Sequence, residues 1–421
     1  MSPREHCIQE EHPLAELFRL SADSAELERF LRIVREHLGM DVAFISRFQA
    51  LERVLDHVDA GSRGPLYPGQ RIPLSEGYCL KVVEGELPQF IPDTSRNALA
   101  QAIPATRSIP IGSHLSVPIV MEDHSVYGTL CCFSHQPNHS LGERDMRVLR
   151  AFAEFLAVHF DAAARVERDK VVAGEQILSA MERDAPRVVY QPVYEIAGLR
   201  LHGFECLSRF DVDPRRPPDQ WFRAAQEAGM GLELEIHAIE KALAALPQFP
   251  AGPCINLSCS PELILSGRLS ALVAQESALA RIVLEVTEHS IVRDYAALAD
   301  ALAPLRARGV QLAVDDAGAG YSSMRHILSL EPDIIKLDMT LTRRIDEENR
   351  RKALAKGLTS FAHEIGCLVV AEGVETPGEL ETLARLEVDC AQGYYLDMPL
   401  ELAEALRRCT GARDRPHAQP R

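Results

Sequence analysis

Residues 310–326 read VQLAVDDAGAGYSSMRH. A mostly apolar run of strand length ends on two adjacent aspartates, Asp315 and Asp316, and a glycine-rich loop follows. Asp and Gly are ordinary turn residues, so a turn is the simplest reading. The second reading is a cation, or a pair of cations, held between carboxylates where a buried strand ends. The surroundings decide between them, because the same rhythm recurs from about Val188 onward.

The recurring runs are RVVYQPV, LHGFECL, PCINLS, RIVLEVTE, VQLAVDD, DIIKLD, CLVVAEGVE and CAQGYYL. Helix-like segments such as DYAALADALAPLRARG and RKALAKGLTSFAHEIG separate them, closed by Gly309 and Gly366 in the position just past a helix end. TPGE at 376–379 opens another helix as a capping box, with Pro377 in its first turn. Alternation of this kind implies parallel strands joined by crossover helices. The runs lack strict apolar–polar alternation, as strands buried on both faces should. Eight of them over roughly 230 residues suit an α/β fold of the (β/α)8 TIM type; a doubly wound open sheet is the alternative.

In such a barrel the C-terminal strand ends meet at one pole, where active sites form. The residues there are Glu205, Asn256, Glu285, Asp315, Asp316, Lys336, Glu372 and Gln392. Taken singly, a strand-end Glu also serves as a helix cap or a salt-bridge partner, Asn256 as turn chemistry and Lys336 as a solvated lysine. Taken together they converge. Carboxylates from four strands at one pole repel one another and raise each other's pKa values, and divalent cations resolve the conflict. The donors are oxygens without His or Cys, which favours Mg²⁺ or Mn²⁺ over zinc. Adjacent residues of an extended strand face opposite ways, but where the chain leaves the sheet Asp315 and Asp316 can both turn to the pole. One can then bridge two ions. Paired ions about 3.5–4 Å apart are a known device for hydrolysing phosphate esters.

The 421 residues suggest two or three domains. Lys plus Arg total 45 against 61 Asp plus Glu, a formal net charge of −16. That argues against a broad nucleic-acid-binding surface and leaves room for a small anionic ligand. The N-terminal MSPREHCIQEEHPLAELF has no signal-peptide apolar core, and no run of about 18 apolar residues suggests a membrane span. The ten cysteines are scattered without a C-x-x-C pair, Cys131 and Cys132 being the one close pair. Reduced thiols in a cytoplasm are expected.

Residues 15–165 read as a smaller α+β unit. DVAFISRF and RVLDHVDA resemble neighbouring strands, and GSHLSVPIVMEDHSVYGTLCCFSH a hairpin turning at 122–125. A helix then starts near Leu141, with Met146, Leu149, Phe152, Leu156 and Phe160 at steps of three and four. It continues through the proline-free 166–184 as a helical connector, either pairing with its copy in a homodimer or lying solvated; its heptads are too short for a coiled-coil assignment. The barrel is expected over 185–408, and a flexible tail over 409–421.

Residues from about 185 to 405 resemble the EAL domain, the cyclic di-GMP phosphodiesterase family named for Glu-Ala-Leu. The signature here is Glu205-Cys206-Leu207 within GFECLSRF, and YQPV, INLS, LEVTE, DDAGAGYSS, IKLD, AEGVE and QGYYL follow in the family's order. The resemblance implies a TIM-type barrel hydrolysing cyclic di-GMP to linear pGpG. It implies metal ligation by Glu205, Asn256, Glu285, Asp315 and Asp316, and by Glu372 directly or through water. Lys336 would position or deprotonate the attacking water, with Glu375 and Gln392 supporting the water network and Glu288 steadying the loop after the aspartates. Arg209 would meet a substrate phosphate, for which a guanidinium fork is suited, and Gln191, Leu207 and Pro399 would line the nucleotide groove. Two positions depart from the pattern: Cys206 replaces the signature alanine, and Ala317 stands where the family usually carries the Phe of DDFG.

Residues 20–165 resemble a GAF domain, the small-molecule sensor fold, through strand order, GYC…LPQFIPDT and VYGTLCCFS. Its ligand is not readable. Cys79 is open to two readings, a ligand-holding or oxidation-sensing thiol and a buried structural cysteine; His124 and His135 are candidate haem ligands or loop residues. The expected whole is a cytoplasmic GAF-regulated phosphodiesterase. A receptor that binds cyclic di-GMP without cleaving it is the alternative.

Overall fold

The computed structural model describes residues 24–61, 66–274, 276, 278–286, 292–317 and 321–411. The chain forms two compact units, 1–169 and 170–421. Among the described residues no helix is long and apolar enough to cross a membrane.

The first unit is built on an antiparallel sheet of β1 (Val42–Gln49), β2 (Glu52–Asp59), β3 (Arg71–Pro73), β4 (Phe90–Ile91), β5 (Ser113–Val120) and β6 (Val126–Ser134), in the order β3-β2-β1-β6-β5-β4. The β5–β6 hairpin turns where expected, with His124 at φ 66° in the turn. Side chains alternate between the two faces. Ala43, Ile45, Leu115, Leu130 and Cys132 join a core closed by the helix Ser24–His37 and by Met146, Leu149, Leu156 and Phe160 of the helix Glu143–Glu182. Val42, Phe44, Cys131 and Phe133 face a second core with Leu55, Tyr78 and Cys79.

The second unit is a closed barrel of β7 (Arg187–Glu195), β8 (Leu201–Arg209), β9 (Cys254–Cys259), β10 (Ile282–Val286), β11 (Gln311–Ala317), β12 (Ile334–Leu337), β13 (Leu368–Ala371) and β14 (Cys390–Ala391). All eight expected runs are strands, but they are not all parallel. β7 is antiparallel to both β8 and β14. Only residues 196–200 join β7 to β8, too few for the crossover that a parallel pair needs. The later strands are parallel, and helices such as Tyr295–Arg306 and Asn349–Glu364 connect them. Gly309 and Gly366 follow those two helices at φ 98° and 81°, the left-handed region glycine enters without a Cβ penalty. Thr376 and Glu379 form the expected capping box.

The barrel interior is layered. Val193, Cys254, Val283, Ala313, Ile334, Val370 and Cys390 make one buried apolar cluster. β8 brings Gly203 to this level, where an added Cβ would lie 2.4 Å from Cys254 Sγ. The fit leaves no room for a side chain from β8. The last turn of the long helix packs outside the barrel, where Ile177 and Ala180 meet Trp221, which is fully buried and stacked on Phe210 at 4.8 Å. Burying such side chains stabilises by about 1.5–3 kcal/mol each.

Candidate active site

The site lies one interior layer beyond that apolar plug. Two residues further along each strand from β8 to β14 stand Glu205, Asn256, Glu285, Asp315, Lys336, Glu372 and Gln392. On the reversed β7 the equivalent step is two residues back, to Gln191, which lies opposite Glu205 in the ladder. The period of two therefore puts one polar residue from each strand at one level.

Lys336 stands at the centre with no exposed surface. Its Nζ is 2.6 Å from Glu372 Oε1, 3.1 Å from Glu285 Oε2, 3.3 Å from Asp315 Oδ1 and 3.5 Å from Glu205 Oε1. Asn256 Nδ2 donates to Glu285 Oε1 at 2.7 Å. Gln392 Nε2 donates to Glu205 Oε2 at 2.6 Å and to Glu372 Oε1 at 3.1 Å. Gln392 Oε1 is buried and accepts no hydrogen bond from the described residues.

Asp316 reaches the same region by a backbone irregularity. The β11–β12 register shifts between Val314 and Ala317, and Asp316 takes φ 56°. A bulge with a left-handed residue re-aims a side chain that regular alternation would send to the other face. Asp tolerates this conformation better than most residues. One carboxylate oxygen each of Asp315, Asp316 and Glu372 consequently lies within 4.8 Å of the others.

Electrostatics follow from crowding. Burial, and then the neighbouring Glu205 and Asp315, push Glu285 up to about 8 against the opposing effect of Lys336. Burial, Asp315 and Asp338 push Asp316 up to about 6. Glu372 is raised well above the carboxylate range, chiefly by burial. For Lys336 burial favours the neutral amine, but Asp315, Glu205, Glu285 and Glu372 together outweigh it and hold the ammonium charged.

Other expected residues are placed differently. Leu207 and Arg209 follow Glu205 on the same face of β8, and Arg209 Nη1 donates to Ser208 O at 2.8 Å. Pro399 precedes Leu400, whose backbone pairs with Tyr190 on β7. Glu375 does not join the cluster: Arg343 Nη2 donates to its Oε1 at 2.6 Å in a half-exposed pair. Glu288 lies outside the described residues. Cys206 points away from Glu205, toward the outer apolar cluster of Tyr190, Phe204 and Phe249, so the replaced signature residue does not face the site. Ala317 is fully buried beside Ile327 and Leu337. One acid escaped sequence reasoning: Asp338, which hydrogen-bonds Asp316 and also caps the short helix after β12 through Thr340 N. Its place two residues after Lys336 in IKLD was the available signal.

The family model described as the EAL domain matches residues 175–399. The chain belongs to the EAL domain family. The GAF domain model matches residues 24–160. The EAL region is 30% identical over 245 residues to the probable cyclic di-GMP phosphodiesterase PdeN of Escherichia coli K12, covering 56% of this chain and 47% of that protein. It is 30% identical over 244 residues to the cyclic di-GMP phosphodiesterase NbdA of Pseudomonas aeruginosa, covering 54% of this chain and 31% of that protein. The chain thus spans less than half the length of these curated relatives. The crystal structure of an EAL domain protein from Listeria monocytogenes shares the fold at a TM-score of 0.52 and 24% identity, over 57% of this chain and 98% of that one.

Proposed function

We propose that the EAL domain hydrolyses cyclic di-GMP to linear pGpG with divalent cations, under the control of the GAF domain. One observation carries this reading: a layer of polar side chains, one per strand, gathers Glu205, Glu285, Asp315 and Glu372 around Lys336. The activities named for PdeN and NbdA support it. The barrel is then a TIM-type (β/α)8 barrel whose first strand is inverted.

The residues fit hard cations. Glu205, Asn256, Glu285, Asp315, Asp316 and Glu372 offer only oxygen donors, and Lys336 is the one cation in contact with the acids of the cluster among the described residues. The raised carboxyl pKa values are what an excess of acid without enough positive charge produces. We assign these six residues to Mg²⁺ or Mn²⁺, in two sites. Such ions supply neutralisation of phosphoryl oxygens and acidify a water nucleophile.

The chain's own groups do the rest. The Lys336 ammonium positions the attacking water. Gln392 orients Glu205 and Glu372 through its amide N–H groups and keeps Oε1 free to accept from that water. Arg209 takes a phosphate of the dinucleotide, while Gln191, Leu207 and Pro399 line the groove. Glu375, paired with Arg343 as it stands, reaches the water network only by exchanging that partner, and Glu288 remains assigned to the loop after the aspartates. We take 15–165 as the sensor, 166–184 as the connector, 185–408 as the enzyme and 409–421 as a tail. Phe155 and Val158 on the long helix are 61% and 70% exposed, which supports pairing with a second copy. The sensor's small molecule is unidentified.

The test is incubation of the purified chain with cyclic di-GMP and Mg²⁺ or Mn²⁺, following pGpG by chromatography. Product that disappears with chelator and in Glu205→Ala supports the proposal. Tight binding without product would make the protein a receptor instead.

A further inference from the structure

Among the described residues, the polar core of the first unit contains a buried arginine without a carboxylate partner. Arg53 on β2 is 5% exposed, and among the described residues its side chain makes one hydrogen bond, from Nη1 to Cys79 Sγ at 2.9 Å. Its Nε has no partner among the described residues. The guanidinium lies against Gly77, where an added Cβ would stand 2.4 Å from Cζ. Buried arginines are almost never left without a counter-charge. Among the described residues, the group that meets this one is a thiol.

A second thiol completes the arrangement. Cys131 Sγ lies 3.6 Å from Cys79 Sγ, with Ser116 Oγ and Thr129 Oγ1 each 3.1 Å from it. Both cysteines are fully buried. Cys132, the next residue, faces the opposite core among Leu115, Leu130 and Met146, where burial pushes its thiol up to about 12.

We propose that Cys79 and Cys131 form a peroxide-oxidisable pair, with Cys79 as the attacking thiolate held by Arg53 and Cys131 as the resolving thiol. The hydrogen bond from Cys131, opposed by burial and helped by Arg53, holds the Cys79 thiol well below its usual range. Burial first, and then Cys79, push Cys131 well above its own. Such a difference separates a nucleophile from a partner that keeps its proton.

The oxidant is a small hydroperoxide. The Cys79 thiolate attacks one peroxide oxygen, the O–O bond breaks, and hydroxide leaves to take a proton from solvent, giving a sulfenic acid. Cys131 then attacks that sulfur. The S–OH bond breaks, water leaves with the Cys131 proton, and the S–S bond forms. Two thiols lose two electrons and the peroxide gains them. The sulfurs must close from 3.6 Å to roughly 2.05 Å. Burial restricts access to oxidants of about water's size, admitted by local fluctuation. The site is independent of the phosphodiesterase assignment.

The full-length protein is treated with hydrogen peroxide, quenched in denaturant with an alkylating agent and digested without reduction for mass spectrometry. The expected result is a Cys79–Cys131 linked peptide while Cys132 remains alkylated. In Cys131→Ser a sulfenic acid probe labels Cys79, and in Arg53→Gln or Gly77→Ala the oxidation slows by about tenfold or more. Full alkylation of both cysteines after treatment would overturn the proposal, as would a Cys79–Cys132 link. The wild-type map decides even if a variant does not fold.

Discussion

Lys336 Nζ lies 2.6 Å from Glu372 Oε1, and Gln392 Nε2 reaches the same carboxylate oxygen at 3.1 Å. One acid oxygen is thus shared by a buried cation and a neutral amide from two different strands. The lysine occupies the centre of the acidic layer, where it competes with added cations for oxygens and is itself held charged. Lys336→Met removes the competitor and the positioning donor together. It should bind Mn²⁺ at least as tightly as the wild type by calorimetry, while turnover falls by roughly 10²–10³-fold. Near-normal turnover would remove Lys336 from the mechanism.

Cation binding should also be visible as stability. Glu285, raised to about 8, and Asp316, raised to about 6, mark unrelieved repulsion and desolvation. A ligand that binds only the folded state at 100 times its dissociation constant stabilises by about 2.7 kcal/mol. The melting temperature should rise with Mn²⁺ over chelator, and the rise should shrink in Glu205→Ala. An identical melting temperature with and without Mn²⁺ at millimolar concentrations would count against the ligand assignment.

Asp316 carries two separable roles, a carboxylate and a left-handed backbone at φ 56°. Asn tolerates that conformation and lacks the charge; Val lacks the charge too and does not tolerate the conformation. Asp316→Asn should fold with nearly wild-type stability and lose turnover. Asp316→Val should lose turnover and also cost about 1–2 kcal/mol more in denaturant unfolding. Equal stability of the two variants would show that the bulge does not persist in solution.

Much of this site was legible because chemistry and periodicity coincide. A barrel strand repeats every two residues, so a polar residue closing each apolar run lands on one interior level. Glu205, Asn256, Glu285, Asp315, Lys336, Glu372 and Gln392 could be read this way. The reversed direction of β7 was less visible, because its run RVVYQPV has the same apolar character in either direction; the five residues 196–200 before β8 were the clue. The placement of Glu375 was not legible for another reason. Its motif position speaks of the site, but its side chain is set by Arg343, 32 positions earlier in the chain, and no local pattern announces that partner. The Arg53–Cys79–Cys131 cluster was hidden likewise, since its members come from β2, the helix Tyr78–Val83 and β6.

The loop after Glu372 depends on a single carboxylate. Glu379 is 3% exposed and accepts from Arg344 N at 2.7 Å, Glu375 N at 2.8 Å and Thr376 N at 3.0 Å. Thr376 Oγ1 returns one bond, accepting from Glu379 N at 3.2 Å. Thr376→Ala removes an N-cap and should cost about 1 kcal/mol. Glu379→Ala strands three N–H donors and should cost about 2–4 kcal/mol, since each unsatisfied buried donor costs about 1–3 kcal/mol and some recover water. Urea titration should rank them in that order; the reverse order would mean that the capping threonine, not the glutamate, anchors this turn.

His114 makes the first unit sensitive to acid. It is 2% exposed, its ring stacks on Tyr78 at 4.2 Å, and its Nδ1 has no hydrogen bond among the described residues. Burial, aided by Arg53, lowers its pKa from 6.5 to about 3. The unfolded chain therefore binds a proton near pH 6.5 that the folded chain refuses until about pH 3. Linkage then fixes the sign: the contribution to stability is complete above pH 6.5 and is lost progressively as pH falls through that window. The first unit should unfold at lower denaturant concentration at pH 4.5 than at pH 7.5, read by circular dichroism. His114→Phe keeps an aromatic ring on Tyr78 and has no proton to take up, so this part of the pH dependence should flatten. If the variant loses stability between pH 7.5 and 4.5 as steeply as the wild type, other groups set the acid limit.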